Sequence, residues 1–333
     1  MTSGPVLTAA RDALGPIGVW LASAPILRAR PISEVQRAVA RIEELGYGSV
    51  WIGEGVGGSR EIFAHMAALL AATETITIGS GVAVIGARDA GVMHAGASTL
   101  AEAYPGRVVL GIGAGALAAI ARHGATRGEA TASPAAHLDA AGADPSVSLA
   151  DRTRTYLTAM DAAADSDPAW APSYVRVLGA LGPRMLAVAR DFADGAHPFS
   201  APVEHTERAR AVLGPGKLLI PEQAVVFDRS PETAHATARA YLSLGNVAGS
   251  PYVRNLRRLG FTDRDFADGG SDRLLAARFA LGDEKAIAER LRAHLRAGAD
   301  SVLAHVVAPG LDEIVDVLHR LAPSLINPST ART

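Results

Sequence analysis

The stretch SEVQRAVARIEELGYGSVWIGE, residues 33–54, holds a complete helix-to-strand unit. Val35, Val39, Ile42 and Leu45 recur at the spacing that puts them on one helical face, with Ser33 placed to cap the helix and Gly46 to stop it. Ser49–Gly53 is then a short apolar run of strand length that ends on a carboxylate, Glu54. A helix feeding an almost wholly apolar strand is the pattern of a parallel sheet covered by helices.

The same alternation extends both ways. Upstream lies the strand Ile17–Leu21. Downstream come helix Glu61–Thr73, strand Ile76–Ala83, helix Val92–Ala103, a tight turn at Tyr104-Pro105-Gly106 and strand Arg107–Gly111. Gly79 and Gly81 inside the third strand suggest a bulge or a closely approaching ligand. Helix Leu149–Ala164, strand Tyr174–Val177, helix Pro183–Phe192, strand Gly195–Phe199 and helix Val203–Leu213 follow. Strand Glu222–Phe227, helix Pro231–Leu244, helix Glu284–Ala297, strand Ser301–Val306 and helix Leu311–Leu321 complete the chain. Eight strands separated by helices predict an α/β fold of the (β/α)8 TIM-barrel type, with all 333 residues in one domain. Two stretches break the rhythm: Gly124–Ser148, rich in Ala, Gly and Pro, and Val247–Asp272, with short helical pieces around Gly269-Gly270. We place insertions at about 116–150 and 245–275, over the barrel mouth, where such segments act as lids and set substrate choice.

Composition narrows the partners. The chain is 49% hydrophobic but only 5% aromatic, with alanine, the strongest helix former, carrying much of the apolar content. Its 32 basic and 34 acidic residues leave a net charge of −2 and no run of five like charges, which points to a small-molecule partner rather than a nucleic acid or a membrane. There is no cysteine, hence no thiolate chemistry, iron–sulfur cluster or cysteine-ligated zinc, and with HEXXH absent no metal is expected. The N-terminus lacks the regions of a signal peptide, and apolar runs such as His65–Ala72 are far short of the ~20 residues a membrane span needs. A cytoplasmic protein is expected.

In this fold the chemistry sits on the loops after the strands. Glu54 follows the second strand; its carboxylate reads either as a contact to a cofactor edge or proton donor, or as a salt bridge securing a loop. Gly113-Ala114-Gly115 follows the fourth strand, and Gly179-Ala180-Leu181-Gly182-Pro183 precedes a helix whose exposed N–H groups suit a phosphate; both also read as plain tight turns. His197, after the sixth strand, reads as a general acid or base, or as a packed strand end. Arg184, Phe199, Ser200, Glu222, Asp228, Arg229 and His305 also fall near the mouth, Glu222 at the lower start of its strand.

Four ordered stretches carry a family resemblance: Leu45–Glu54; ATETITIGSGV at 72–82; YPGRVVLGIGAG at 104–115; and ALGPRML at 180–186 with ADGA at 193–196. Together they resemble the luciferase-like monooxygenase superfamily, in particular its deazaflavin-dependent branch. The resemblance implies a bulge at Gly81-Val82, often with a non-proline cis peptide, supporting the face of the cofactor ring. It places Glu54 at the ring edge, and Gly113, Ala114, Gly115 and Gly179 to Pro183 around the ribityl phosphate. It implies a homodimer formed through helices near the second and third strands, for which His65–Ala72 offers an apolar face. Sugar-phosphate dehydrogenases of this group carry a histidine after the acid, where this chain has Gly55, and Glu and Asn where it reads Ala116-Leu117-Ala118-Ala119. That substrate chemistry is therefore not expected. The implied function is hydride transfer between coenzyme F(420) and a small organic substrate, with Glu54 and His197 as catalytic candidates. Two alternatives stay open: an FMN-dependent two-component monooxygenase, and a non-catalytic flavin-binding or scaffold barrel. The sequence offers no recognisable arginine-rich phosphate site, which favours the deazaflavin with its longer, outward-running tail.

Overall fold

Every strand pairing in the sheet is parallel, and the sheet curls until its ends meet. The computed structural model describes residues 4–21, 26–27, 29–55, 60–113, 147–166, 170, 173–243 and 250–326. Its strands are β1 (Ile17–Leu21), β2 (Ser49–Ile52), β3 (Thr77–Ser80), β4 (Ala83–Val84), β5 (Val108–Gly113), β6 (Val175–Leu178), β7 (Gly195–Ala196), β8 (Leu218–Leu219), β9 (Glu222–Phe227), β10 (Phe279–Gly282) and β11 (Val302–Val306). They run side by side in the order β10-β9-β11-β1-β2-β3-β5-β6-β7-β8, with β4 on β5. Two staves are interrupted. β3 and β4 are one strand broken at Gly81-Val82, where the peptide bond is cis, as the resemblance implies. β8 and β9 are likewise one stave: Ile220 N–H reaches Ala196 O at 2.9 Å on one side, and Leu303 N–H reaches Pro221 O at 2.9 Å on the other. Those bonds join β7 to β11 and close an eight-stave (β/α)8 barrel. β10 was not anticipated; it lies against the upper half of β9, beyond the short β7.

Boundaries differ in instructive ways. The helix Ile32–Glu44 starts after Pro31 with no side-chain cap, so Ser33 is inside the helix and does not cap it. The next helix, Ile62–Leu70, is capped by Glu61, whose carboxylate accepts Ala64 N–H at 2.8 Å. It buries Ile62, His65, Met66, Leu69 and Leu70 in the chain's own core. The strand expected over Gly195–Phe199 keeps a regular ladder only at Gly195–Ala196, although His197 N–H still bonds Leu178 O at 2.9 Å. The insertion at about 116–150 lies outside the described residues as far as residue 146. The described part of the one at 245–275 contains the helices Pro251–Arg258 and Asp263–Phe266 and the start of a third, Asp272–Arg278. Among the described residues no helix is long and apolar enough to cross a membrane.

The barrel interior accounts for one of the two glycines expected to mark a bulge or a closely approaching ligand. Alternate strand residues point inward, and Trp51, Val109, Val175, Val177, Ile220 and Leu303 fill the interior, plugged from below by Leu7 and Leu14 of an unanticipated helix, Gly4–Leu14. Trp51 is completely buried and lies across Gly79: a Cβ there would sit 2.4 Å from the indole. Gly79 therefore makes room for Trp51, leaving Gly81 as the glycine at the barrel mouth.

Candidate active site

At the C-terminal end of the barrel the strands open into one cavity of about 720 Å³. Glu54, Gly81, Val82, Gly113, Gly179, Ala180, Leu181, Gly182, Pro183 and His197 all border it. Ala114 and Gly115 lie outside the described residues.

The floor is built around Val82. Gly113 and Gly179 approach its side chain so closely that a Cβ on either would lie 3.0 and 3.3 Å from a Val82 methyl. Gly81 is pinned from the other direction: Trp20 Nε1–H donates to its carbonyl at 3.0 Å. A Cβ on Gly81 would come within 2.6 Å of that nitrogen and 3.0 Å of His197 Nε2. Glu54 supports the bulge from below. Its carboxylate accepts the Val84 N–H at 2.7 Å and Arg88 Nη1 at 3.0 Å, and Arg88 Nη2 bonds its other oxygen. Both side chains are largely buried, at 6% and 11% exposure, and Arg88 also meets Glu61 at 3.1 Å and lies over the Phe63 ring. Glu54 thus borders the cavity with both oxygens already engaged, which makes it a positioning group by geometry.

His197 is 1% exposed. Its Nδ1 lies 2.7 Å from Ile220 O, an acceptor only, so Nδ1 carries the proton and Nε2 presents a lone pair. That lone pair has no hydrogen-bond partner and faces Gly81. Burial holds the imidazole pKa below its ordinary value, outweighing the Ile220 bond and the field of Glu222. The ring is therefore neutral at pH 7, an acceptor at Nε2.

The opposite end of the cavity is cationic. The helix Pro183–Phe192 opens on Gly182 with no side-chain cap and no acid in its first turn, so its N–H groups and positive dipole end are uncompensated by protein. Arg184 and Arg258 border the cavity at this end, and Arg254, between Tyr252 and Arg258 on one helix, also lines it. The Arg258 guanidinium lies 3.6 Å from where a Gly182 Cβ would stand. Among the described residues neither Arg184 nor Arg258 forms an ion pair, whereas neighbouring Arg257 is bound by Asp263. The sequence offered no recognisable arginine cluster, yet three arginines line this cavity. The sequence hid it because two of the arginines come from the helix Pro251–Arg258, about seventy residues beyond the glycine loop.

Of the other residues expected near the mouth, Phe199 borders the cavity, whereas Ser200, Glu222, Asp228, Arg229 and His305 are not part of its lining. Glu222 and His305 pair with each other at 2.7 Å behind Trp20 and Phe199. Arg229 reaches out to Glu284 at 3.3 Å on the surface. Trp20 and Tyr252, which do border the cavity, went unnoticed. Trp20 carries a readable signal, an inward position at the top of β1; Tyr252 carries none, because its place depends on how the insertion folds back.

The sequence matches no curated protein. A family profile described as luciferase-like monooxygenase matches residues 13–301. Among solved structures the chain is similar to the coenzyme F(420)-dependent tetrahydromethanopterin reductase of Methanopyrus kandleri, at 17% identity and TM-score 0.72, over 93% of this chain and 98% of that one. It is similar to an F(420)-dependent secondary alcohol dehydrogenase at 15% identity and TM-score 0.65, over 94% and 99% of the two chains. It also resembles the oxygenating constituent of 3,6-diketocamphane monooxygenase of Pseudomonas putida, solved with FMN, at 14% identity and TM-score 0.63, over 94% and 100%. At such identities these likenesses are likenesses of fold. The profile, spanning most of the chain, goes further: this protein belongs to the luciferase-like monooxygenase family.

Proposed function

We propose that the protein is an oxidoreductase that exchanges hydride between coenzyme F(420) and an organic substrate in the barrel-mouth cavity. The observation that carries this reading is the joining, in one space, of a glycine-walled floor at Val82 to a cationic end at Gly182. The first fits the face of a flat ring and the second fits an anionic tail. When bound, the deazaflavin supplies the hydride chemistry itself.

The chain's own residues hold and orient. Val82, Gly113 and Gly179 support the ring face, and the Trp20 indole fixes the Gly81 carbonyl beside it. Glu54 and Arg88 lock the bulge through the Val84 N–H. The helix N-terminus with Arg184 and Arg258 takes the phosphate, and Arg254 adds positive charge to the same cavity. His197 Nε2 accepts the hydroxyl proton of the substrate, and its neutrality keeps that lone pair available. One observation favours a second reading, an FMN-dependent monooxygenase: a helix N-terminus with a guanidinium beside it also suits a single terminal phosphate.

Fluorescence titration of the purified protein with F(420) and with FMN separates the two. Tighter binding of F(420) supports the first reading and tighter binding of FMN the second; binding of neither overturns both and favours a scaffold. Arg258→Glu is expected to weaken the cofactor about ten-fold, an effect of a lost charge-assisted contact that shrinks as salt is raised.

A further inference from the structure

Behind the cavity wall lies a buried polar cluster to which the proposed chemistry gives no task. Glu222 accepts the Ser200 backbone N–H at 2.7 Å through one oxygen and bonds His305 Nδ1 at 2.7 Å through the other. Arg278, also buried, donates to Ser200 Oγ. Ser200 is held with φ at +55°, a region non-glycine residues occupy only where their surroundings over-determine it. What this arrangement places is the neighbouring Phe199. Its ring stands 4.9 Å from Trp20 and 6.0 Å from Tyr252, edge-on to both. His305 backs Trp20 at 4.5 Å. Trp20, Phe199 and Tyr252 thus form a continuous aromatic wall on the cavity.

The wall meets the floor only at Trp20, whose Nε1–H donates to Gly81 O at 3.0 Å, and from there it runs along a different arc of the barrel. Val82, Gly113 and Gly179 belong to the β4–β5–β6 side, whereas Trp20 lies at the top of β1 and Phe199 follows β7, with β9 and β11 between those two strands. The helix Pro251–Arg258 bridges the two ends, with Tyr252 on the wall and Arg258 at Gly182. Six residues at 1.5 Å each separate them by about 9 Å. Glu222 and Arg278 stay behind the rings, and the charged side chain nearest the wall in sequence is Arg254, two residues from Tyr252 on the same helix.

We infer that the Trp20–Phe199–Tyr252 wall is the substrate subsite, and that it takes a neutral, flat, apolar molecule such as an aromatic or fused-ring compound. This rests on the cofactor reading above only in assigning the glycine floor to the ring. A small polar alcohol would leave the rings uncovered. An aromatic guest gains edge-to-face contacts from two or three rings.

Calorimetric titration of the full chain tests this, using 2-naphthol as the apolar probe and glucose 6-phosphate as the polar one, with F(420) and FMN titrated in parallel. Phe199→Leu and Tyr252→Ala are each expected to weaken naphthol about ten-fold, the size of a lost aromatic pair, while cofactor affinity holds and glucose 6-phosphate fails to compete. Tyr252→Ala, on the bridging helix, keeps the test open if Phe199→Leu does not fold. Naphthol binding that ignores both variants, or a cofactor affinity that falls with them, overturns the inference. Wall-dependent naphthol binding without binding of either cofactor supports the subsite and sinks the cofactor reading instead.

Discussion

Gly81→Ala puts the floor of the site under the sharpest test. The new methyl would lie 2.6 Å from Trp20 Nε1, 3.0 Å from Trp20 Cδ1 and 3.0 Å from His197 Nε2. Neither ring yields easily. Trp20 is wedged between Phe199 at 4.9 Å and His305 at 4.5 Å, and His197 is tied to Ile220 O at 2.7 Å. Overpacking of this kind costs about 1–3 kcal/mol, and a Trp20 that moves also loses its bond to Gly81 O, worth about 1 kcal/mol. A total near 3 kcal/mol follows. With ~2.1 cal/mol/K of unfolding entropy per residue, 333 residues convert that into a fall in melting temperature of roughly 4 °C. Gly216→Ala is the matched control, since a methyl there meets nothing within 4 Å. Differential scanning calorimetry of both variants, followed by titration with F(420), reads the outcome: a lower melting temperature and weakened binding for Gly81→Ala alone. Equal melting temperatures with unchanged binding would refute the packing of Trp20 and His197 against the bulge.

Two further perturbations probe the support of the site and the core. Arg88→Met leaves the Glu54 carboxylate largely buried with only the Val84 N–H, and is expected to destabilise the fold by about 3 kcal/mol; urea unfolding measures it, and a loss below about 1 kcal/mol would assign Glu54 to solvent. Acid should loosen the chain through its buried histidines. Burial, with nearby Arg60, pulls His65 down to about 4; burial, with Arg208, does the same to His205, and His294 falls to about 3. Each binds its proton more weakly folded than unfolded, so its contribution is complete above about pH 6.5 and fades as pH falls toward 4. The gap between 6.5 and about 4 is worth roughly 3 kcal/mol for a fully expressed site. His294→Gln should flatten the loss of urea stability between pH 7 and pH 5 by about 2 kcal/mol, and an unchanged pH slope would show that this histidine is not the buried neutral group the structure describes.

The barrel was legible because periodicity and punctuation are local. All eight staves lie where alternating apolar runs and turn residues put them, and the bulge at Gly81-Val82 sits where the resemblance places it. Features set by distant packing were not. β10 follows directly on the helix Asp272–Arg278, in a short stretch between the insertion and the helix at Glu284 that carries no strand signal of its own, since only its pairing with β9 makes it a strand. Gly79 read as a bulge or a ligand contact because sequence does not reveal that Trp51 crosses it. The cationic end of the cavity was invisible for the same reason: Arg258 meets Gly182 only after the insertion folds back over the mouth.

Glu54 and His197 were singled out by the same reasoning, a titratable group at the barrel mouth, yet the structure divides them. Both Glu54 oxygens are held by Arg88 and the Val84 N–H, so a proton placed there would break the buried pair that fixes the bulge. His197 has its one partner at Nδ1 and none at Nε2. An unsatisfied buried acceptor carries a desolvation penalty of about 1–3 kcal/mol, and this one borders a cavity whose other uncompensated polar groups are donors: the N–H groups at Gly182 and the guanidinia of Arg184 and Arg258. An anionic cofactor tail at Gly182 and a substrate hydroxyl near Gly81 together satisfy both sets. If His197 serves that hydroxyl, His197→Phe should weaken hydroxylated ligands while leaving their deoxy analogues and the cofactor unaffected; an equal loss for both ligand types would reduce His197 to a packing residue against Trp51.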